Sequence, residues 1–229
     1  MMKTKPLLPR AVIFDLDGVV VDTAHLHFMA WQRLAQRIGI HIDTGFNEQL
    51  KGVSRQGSLL RILASGGKTG SFTQAECDAM AAEKNADYVG LLAGLTTTDI
   101  LPGMGELLHT LHEQGVLTGL ASVSQNAPRV LRALGLEQAF NYVADTRRIK
   151  HSKPHPEIFL NVCEALNISP QHAVGIEDAQ AGIDALRAGG IFAIGIGATL
   201  EGANYRLAST EGLSWAVIRQ QWLRHHADI

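Results

Sequence analysis

The segment Phe14-Asp15-Leu16-Asp17-Gly18 constrains this chain more than any other. It closes the apolar, β-branched run Ala11-Val12-Ile13, and together they predict a strand over 11–16. Side chains two apart on a strand share a face, so the Asp15 and Asp17 carboxylates project into the same space. Like charges that close repel, and one carboxyl is driven toward its neutral form. A fold that keeps both needs a third partner for them, such as a metal ion or a transferable proton.

Composition narrows the function classes. The 229 residues accommodate one large domain or a core with a smaller companion, and the 46% apolar share supplies a sizeable buried core. A formal charge of −2 without long runs of one sign argues against a nucleic-acid partner, yet leaves room for a local anion site. Cys77 and Cys163 stand far apart without metal-type spacing, so a reducing compartment, the cytoplasm, is expected rather than a disulfide framework. The start MMKTKPLLPRAVIFDLDG reaches charged residues too soon for a signal sequence. No apolar run of about 18 residues occurs, so no membrane partner is expected.

After the first strand the apolar period changes. Leu26, Met29, Ala30, Leu34 and Ile38 recur at helical spacing over 25–38, and Gly39 reads as a stop. Further helices are predicted near 56–64 and 73–92, with turn-rich segments between them. The second half alternates strands at 116–123, 140–145, 172–178 and 191–197 with helices near 103–114, 127–134, 156–166 and 179–188. Such alternation predicts a parallel sheet with helices on both faces. Ligands gather outside the carboxyl ends of such strands, where Asp15/Asp17, Ser122/Ser124 and Glu177/Asp178 fall.

Those clusters permit a specific chemistry. Three or four of the carboxylates of Asp15, Asp17, Glu177 and Asp178, converging in one crevice, would form a hard-oxygen site suited to Mg²⁺, and an Asp oxygen can serve as a phosphoryl-accepting nucleophile. Singly, Asp17-Gly18 is an ordinary turn and Glu177-Asp178 an ordinary helix cap. Ser122 precedes Ser124-Gln125-Asn126-Ala127-Pro128, where Asn126 suits a helix cap, Pro128 the first turn, and the backbone N–H groups a phosphate oxygen. Lys153 would set a point charge against phosphoryl transfer. On their own, Ser122 is an ordinary turn residue and Lys153 an ordinary solvated one. Whether Lys153-Pro154 is cis stays open.

The set DLDG (15–18), LASVS (120–124), SKP (152–154) and GIEDAQAGI (175–183) resembles the haloacid dehalogenase-like family over nearly the whole chain. The resemblance implies an α/β fold: a Rossmann-like parallel-sheet core, 1–22 and 93–229, with an inserted all-helical cap domain, 23–92. It implies Asp15 as nucleophile and Asp17 as general acid/base. Mg²⁺ would be held by the Asp15 side chain, the Asp17 carbonyl and Asp178, with Glu177 nearby.

The core alone does not select the phosphoryl acceptor; the cap does, by excluding water while orienting a second group. The stretches DTAHLHFMAW (22–31), FNEQLKGVSR (46–55) and KNADYV (84–89) resemble the family's sugar-phosphate mutase branch. Thr23, His27 and Trp31 fall at helical spacing on one face. The resemblance implies that Thr23 and His27 hold Asp17, Arg55 grips the non-reacting phosphate, and Lys84 contacts substrate and helps set Asp17's protonation. Trp31, Leu50, Gly52, Val53, Ser54 and Ser58 would line the sugar pocket, completed by Ser124 and Asn126. It further implies conversion of β-D-glucose 1-phosphate to glucose 6-phosphate, with β-D-glucose 1,6-bisphosphate as priming intermediate, by a monomer whose partners are small sugar phosphates.

Blander readings stand beside these: His27 as a surface histidine, Trp31 as core, Arg55 solvated or paired, Lys84 snorkelling. Against the family pattern that this resemblance implies, Gln125 stands where a Lys is expected, His151 and His155 flank the Lys-Pro pair, and Ala179 follows the acidic pair where a Ser can occur. The alternative within the family is a sugar-phosphate phosphatase. Outside it stands a signalling receiver module, which the second carboxylate and the long insertion disfavour.

Overall fold

The computed structural model describes residues 8–227. Residues 1–7, which hold most of the basic N-terminal stretch, and residues 228–229 lie outside the described residues. The sheet forms around β1, Ala11–Phe14, a run without a polar side chain that is buried along its whole length. β1 pairs in parallel with β2, Leu117–Leu120, on one side and with β4, Ala173–Glu177, on the other. β3 (Tyr142–Val143), β5 (Phe192–Ile196) and β6 (Tyr205–Leu207) extend it to the parallel order β3-β2-β1-β4-β5-β6.

Alternation along β1 sorts its side chains between two helical layers. Val12 and Phe14 join a cluster containing Leu107 and Leu111, Val130, and Ile218 and Trp222. These belong to α5 (Met104–Glu113), α6 (Ala127–Ala133) and α9 (Trp215–Ala227). Ala11 and Ile13 join Phe159, Val162, Ile183 and Leu186, from α7 (Glu157–Ala165) and α8 (Gln180–Ala188). The result is an α/β fold with the sheet covered on both faces, as parallel sheets require.

Between β1 and α5 lie four helices: α1 (Ala24–Arg37), α2 (Thr44–Glu48), α3 (Arg55–Ser65) and α4 (Gln74–Leu91). They gather a cluster of their own from Trp31, Leu34, Leu59, Ile62, Met80 and Ala81. α4 starts with a capping box, the Thr73 hydroxyl accepting from the Glu76 N–H and the Glu76 carboxylate from the Thr73 N–H. We propose to treat 23–92 as a cap domain and the remainder as the core, because most of its buried apolar side chains form this cluster, while Ala30, Tyr88 and Leu92 join the sheet's.

The chain departs from the expected elements in several places. β1 ends at Phe14 rather than at 16, because the backbone turns: Val20 N–H bonds the Leu16 carbonyl at 2.9 Å and Gly18 N–H the Val21 carbonyl at 2.8 Å. β3 keeps only two residues of the expected 140–145. α2, β6 and α9 were not expected. α2 and β6 are too short for a period to register. α9 does carry Trp215, Ile218 and Trp222 at i, i+3 and i+7, but polar residues between them dilute the pattern.

β4 lies so close to α8 that Gly175 has no room for a side chain; an added Cβ would meet Leu186 Cδ2 at 2.1 Å. Gly175→Ala is therefore expected to lower the unfolding free energy by about 1–3 kcal/mol through overpacking. Urea titration should show this as a lower midpoint at unchanged slope. An unshifted midpoint would mean that α8 can give way.

Candidate active site

The carboxyl ends of β1, β2 and β4 converge at the point where the chain passes from one side of β1 to the other, which is where such sheets bind ligands. Asp15 follows β1, Ser122 and Ser124 follow β2, and Glu177 closes β4 with Asp178 next in the chain. Lys153 comes from the loop between β3 and α7, and its bond to Pro154 is cis. Its buried Nζ donates to Asp15 Oδ1 at 2.6 Å and also to Glu177 Oε1. Burial by itself would discharge this ammonium, but Asp15 and Glu177 overcome it and push its pKa above the usual lysine value.

The acidic side is left with excess negative charge. Burial raises the Glu177 carboxyl above the ordinary range despite its Lys153 partner, and Asp15 adds to the shift. Asp178 is raised well above its usual value by burial, then by Glu177 and Asp15. Carboxylate oxygens of Asp15, Glu177 and Asp178 lie within 4.8 Å of one another, and such a hard, oxygen-only donor set fits Mg²⁺. Gly18 makes the approach feasible. Its φ is +82°, and an added Cβ would sit 2.2 Å from Asp178 Oδ2, so only glycine lets the DLDG turn lie against that carboxylate.

Asp17 faces the helical insertion. Its Oδ1 accepts from the Thr23 hydroxyl. Thr23 occupies the N-cap position of α1 yet makes no side-chain bond to its own helix, so a group that ordinarily caps is diverted to Asp17. Lys84 Nζ lies 2.7 Å from His27 Nδ1. With the lysine donating, Nε2 carries the histidine's hydrogen and faces Asp17 Oδ1 from 3.8 Å, beyond direct hydrogen-bond reach. Burial, then Lys84 and Arg55, hold the His27 pKa well below normal, keeping the ring neutral. Burial and the Asp15 charge raise the Asp17 carboxyl to about 6. Burial and Arg55 lower Lys84 to about 7.

A cavity of about 300 Å³ lies between the two halves. Of the residues singled out from sequence, Asp15, Asp17, His27, Trp31, Leu50, Gly52, Val53, Ser54, Arg55, Ser58, Lys84, Ser124, Asn126 and Asp178 line it. Thr23, Ser122, Lys153 and Glu177 are buried beside it rather than lining it. One expectation, a helix cap from Asn126, needs correction. Ser122 Oγ accepts from the Ser124 N–H at 3.1 Å, closing its own loop. Asn126 stands at the N-cap position of α6 without capping it. The acidic trio leaves out the Asp17 carboxyl, whose residue was expected at the metal through its main-chain carbonyl. Trp31 is both core and cavity wall: it packs in the insertion's cluster while Lys84 Nζ sits 4.6 Å from its ring centroid.

Three residues were missed. Lys51 brings its Nζ to 3.6 Å from Asp178 Oδ2 and 3.1 Å from Glu48 Oε2. Tyr88 stacks on His27 with ring centroids 3.8 Å apart. Asn85 bonds both Arg55 and Asn126. Lys51 lies inside the run LKGVSR, and Asn85 and Tyr88 inside KNADYV, so adjacency to other site residues was the available signal.

A family model for haloacid dehalogenase-like hydrolases matches residues 9–190. The chain belongs to the haloacid dehalogenase-like hydrolase family. Within that family it is 42% identical over 215 residues to a β-phosphoglucomutase of Bacillus subtilis (strain 168), covering 93% of this chain and 95% of that one. A crystal structure of β-phosphoglucomutase from Clostridium difficile superposes with a TM-score of 0.94 at 46% identity, covering 96% of this chain and all of the other. A phosphorylated carbohydrates phosphatase of Thermotoga maritima is 32% identical over 184 residues, 79% of this chain and 82% of its own length.

Lys84 is charged only below about pH 7 in the empty site. Second-order turnover, kcat/KM, is therefore expected to fall as pH rises through that value, because the cation facing the cavity is lost. Lys84→Arg should move the falling limb to higher pH, since a guanidinium stays protonated. A limb that keeps its position in that variant would remove Lys84 as its source.

Proposed function

We propose that the chain is a β-phosphoglucomutase in activity, interconverting β-D-glucose 1-phosphate and glucose 6-phosphate. What carries this reading is that the Asp17 carboxyl is held by the inserted helices. Thr23 bonds it, and the neutral His27, braced by Lys84, faces it. A hydrolase must admit water to the phosphorylated nucleophile. A transfer between two sugar oxygens needs an acid/base whose competence depends on closure. The relative at 42% identity supports the same activity.

In the forward direction the sugar's free hydroxyl attacks the phosphorus of phospho-Asp15, and its proton passes to Asp17. The bond from phosphorus to the Asp15 oxygen breaks, leaving β-D-glucose 1,6-bisphosphate. After the intermediate turns over, Asp15 attacks the other phosphorus, and Asp17 returns a proton to the departing sugar oxygen. A carboxyl whose pKa is near 6 suits both directions of this transfer at neutral pH. Lys153 holds Asp15 in place and opposes the charge that develops on transfer. Arg55, lining the cavity without a carboxylate partner among the described residues, suits the non-reacting phosphate.

Asp15, the Asp17 main-chain carbonyl and Asp178 would hold Mg²⁺, which when bound supplies charge neutralisation at the phosphoryl oxygens. The partners in this reading are small sugar phosphates, met by a monomer in the cytoplasm. No helix among the described residues is long and apolar enough to cross a membrane.

Asp15→Asn is expected to abolish both isomerisation and phosphate release. Incubating β-D-glucose 1-phosphate with Mg²⁺ and a trace of bisphosphate separates the outcomes: glucose 6-phosphate is expected, and free phosphate as main product would indicate a phosphatase. His27→Ala should lower mutase kcat by about 10–100-fold, part of the usual worth of an oriented acid/base. Its Mg²⁺ affinity should stay within about twofold, since His27 is outside the acidic trio. An unchanged kcat would dismiss the role given to His27.

A further inference from the structure

Asn85 lies on α4, one residue beyond Lys84, and is half-buried. Its side-chain oxygen accepts two hydrogen bonds from opposite sides of the cavity. One comes from Arg55 Nη2 at 2.7 Å, at the start of α3 in the helical insertion. The other comes from Asn126 Nδ2 at 2.8 Å, at the start of α6 beside the sheet. Both donors line the cavity. Arg55 makes no ion pair among the described residues, and burial depresses its pKa. Asn126 leaves its own helix uncapped. Two groups suited to an anion thus converge on one neutral oxygen.

We propose that Asn85 is a positioning residue, a latch whose carbonyl stands in for a phosphate oxygen while the cavity is empty. It joins the insertion to the sheet domain through Arg55 and Asn126, and it holds these two donors in register for the non-reacting phosphate of the substrate. Phosphate oxygens are charged acceptors and attract such donors more strongly than an amide does. On entry the phosphate takes over both bonds, so the link across the cavity is exchanged rather than broken. Ordering the two donors beforehand lowers the cost of binding. The identity of the phosphate as a sugar phosphate rests on the function proposed above; the latch itself does not.

Two readouts keep the two ideas separable. Spin labels at Leu60→Cys on α3 and Leu223→Cys on α9, both exposed positions, report the separation of insertion and core in the substrate-free protein. The unlabelled background should be low, because Cys77 and Cys163 are buried. Asn85→Ala should add a longer-distance population, whereas Asn85→Asp should not, since a carboxylate binds Arg55 at least as well. With β-D-glucose 1-phosphate as the probe, Asn85→Ala should raise KM by about 5–20-fold, because the cost of ordering Arg55 and Asn126 then falls on binding. Its kcat should change by less than about threefold, as expected for lost uniform binding. Asn85→Asp should raise KM further still, by repelling phosphate. An unchanged distance distribution in Asn85→Ala would overturn the latch, as would a fall in kcat at constant KM. If wild-type protein fails to isomerise the sugar phosphate while Asn85→Ala still opens, the latch stands and the proposed function falls.

Discussion

The buried ammonium of Lys153 is the contact on which the site depends. It bridges Asp15 at the tip of β1 and Glu177 at the tip of β4, two neighbouring strands whose ends would otherwise bring negative charges together with nothing between them. Removing one member of such a buried arrangement leaves an uncompensated charge, which costs far more than the pairing gains. Its reach is limited, however. Asp178, beyond direct contact with Lys153, still has its carboxyl pushed well up by burial and by its acidic neighbours. The site therefore accommodates a further positive charge, and its oxygen donors are of the kind a magnesium ion selects.

The other half of the chemistry comes from the helical insertion. Thr23 gives its hydroxyl to Asp17 instead of to α1, and Lys84 braces the neutral ring of His27 against Tyr88. These groups lie on α1 and α4, most of whose buried side chains pack in the insertion's own cluster, so under the proposed function they act on Asp17 only when that cluster sits over the sheet. In the proposed mechanism, water exclusion and the assembly of the acid/base then become one event. That coupling is what separates transfer within a sugar from hydrolysis by the same nucleophile. Lys51, reaching from the insertion to Asp178, ties the same closure to the acidic trio.

Much of this was legible in the order of residues. The Asp15/Asp17 and Glu177/Asp178 pairs, the alternation of strands with helices, and the long helical interruption all leave local patterns, because strand and helix periods act over a few residues. The short elements α2 and β6 left none, and the two-residue β3 was overextended, since its extent is decided by pairing with β2 rather than by its own sequence. Asn85 and Lys51 carry no such pattern, although both lie beside other residues of the site. Nothing in a lone amide or lysine announces a distant partner: Arg55 and Asn126 lie 30 and 41 residues from Asn85, and Asp178 lies far along the chain from Lys51.

Sequence by itself determined the layered architecture and the kinds of side chain brought to the ends of β1, β2 and β4, because burial and backbone period are properties of neighbouring residues. Only the tertiary structure decided what each of those side chains does. Asn126 leaves its helix uncapped, Ser122 closes its own loop, Thr23 turns toward Asp17, and the protonation of Asp17, His27 and Lys84 follows from burial and from charges on distant segments. Electrostatic and hydrogen-bonding roles depend on separations in space of a few ångströms, and those exist only once the chain has folded.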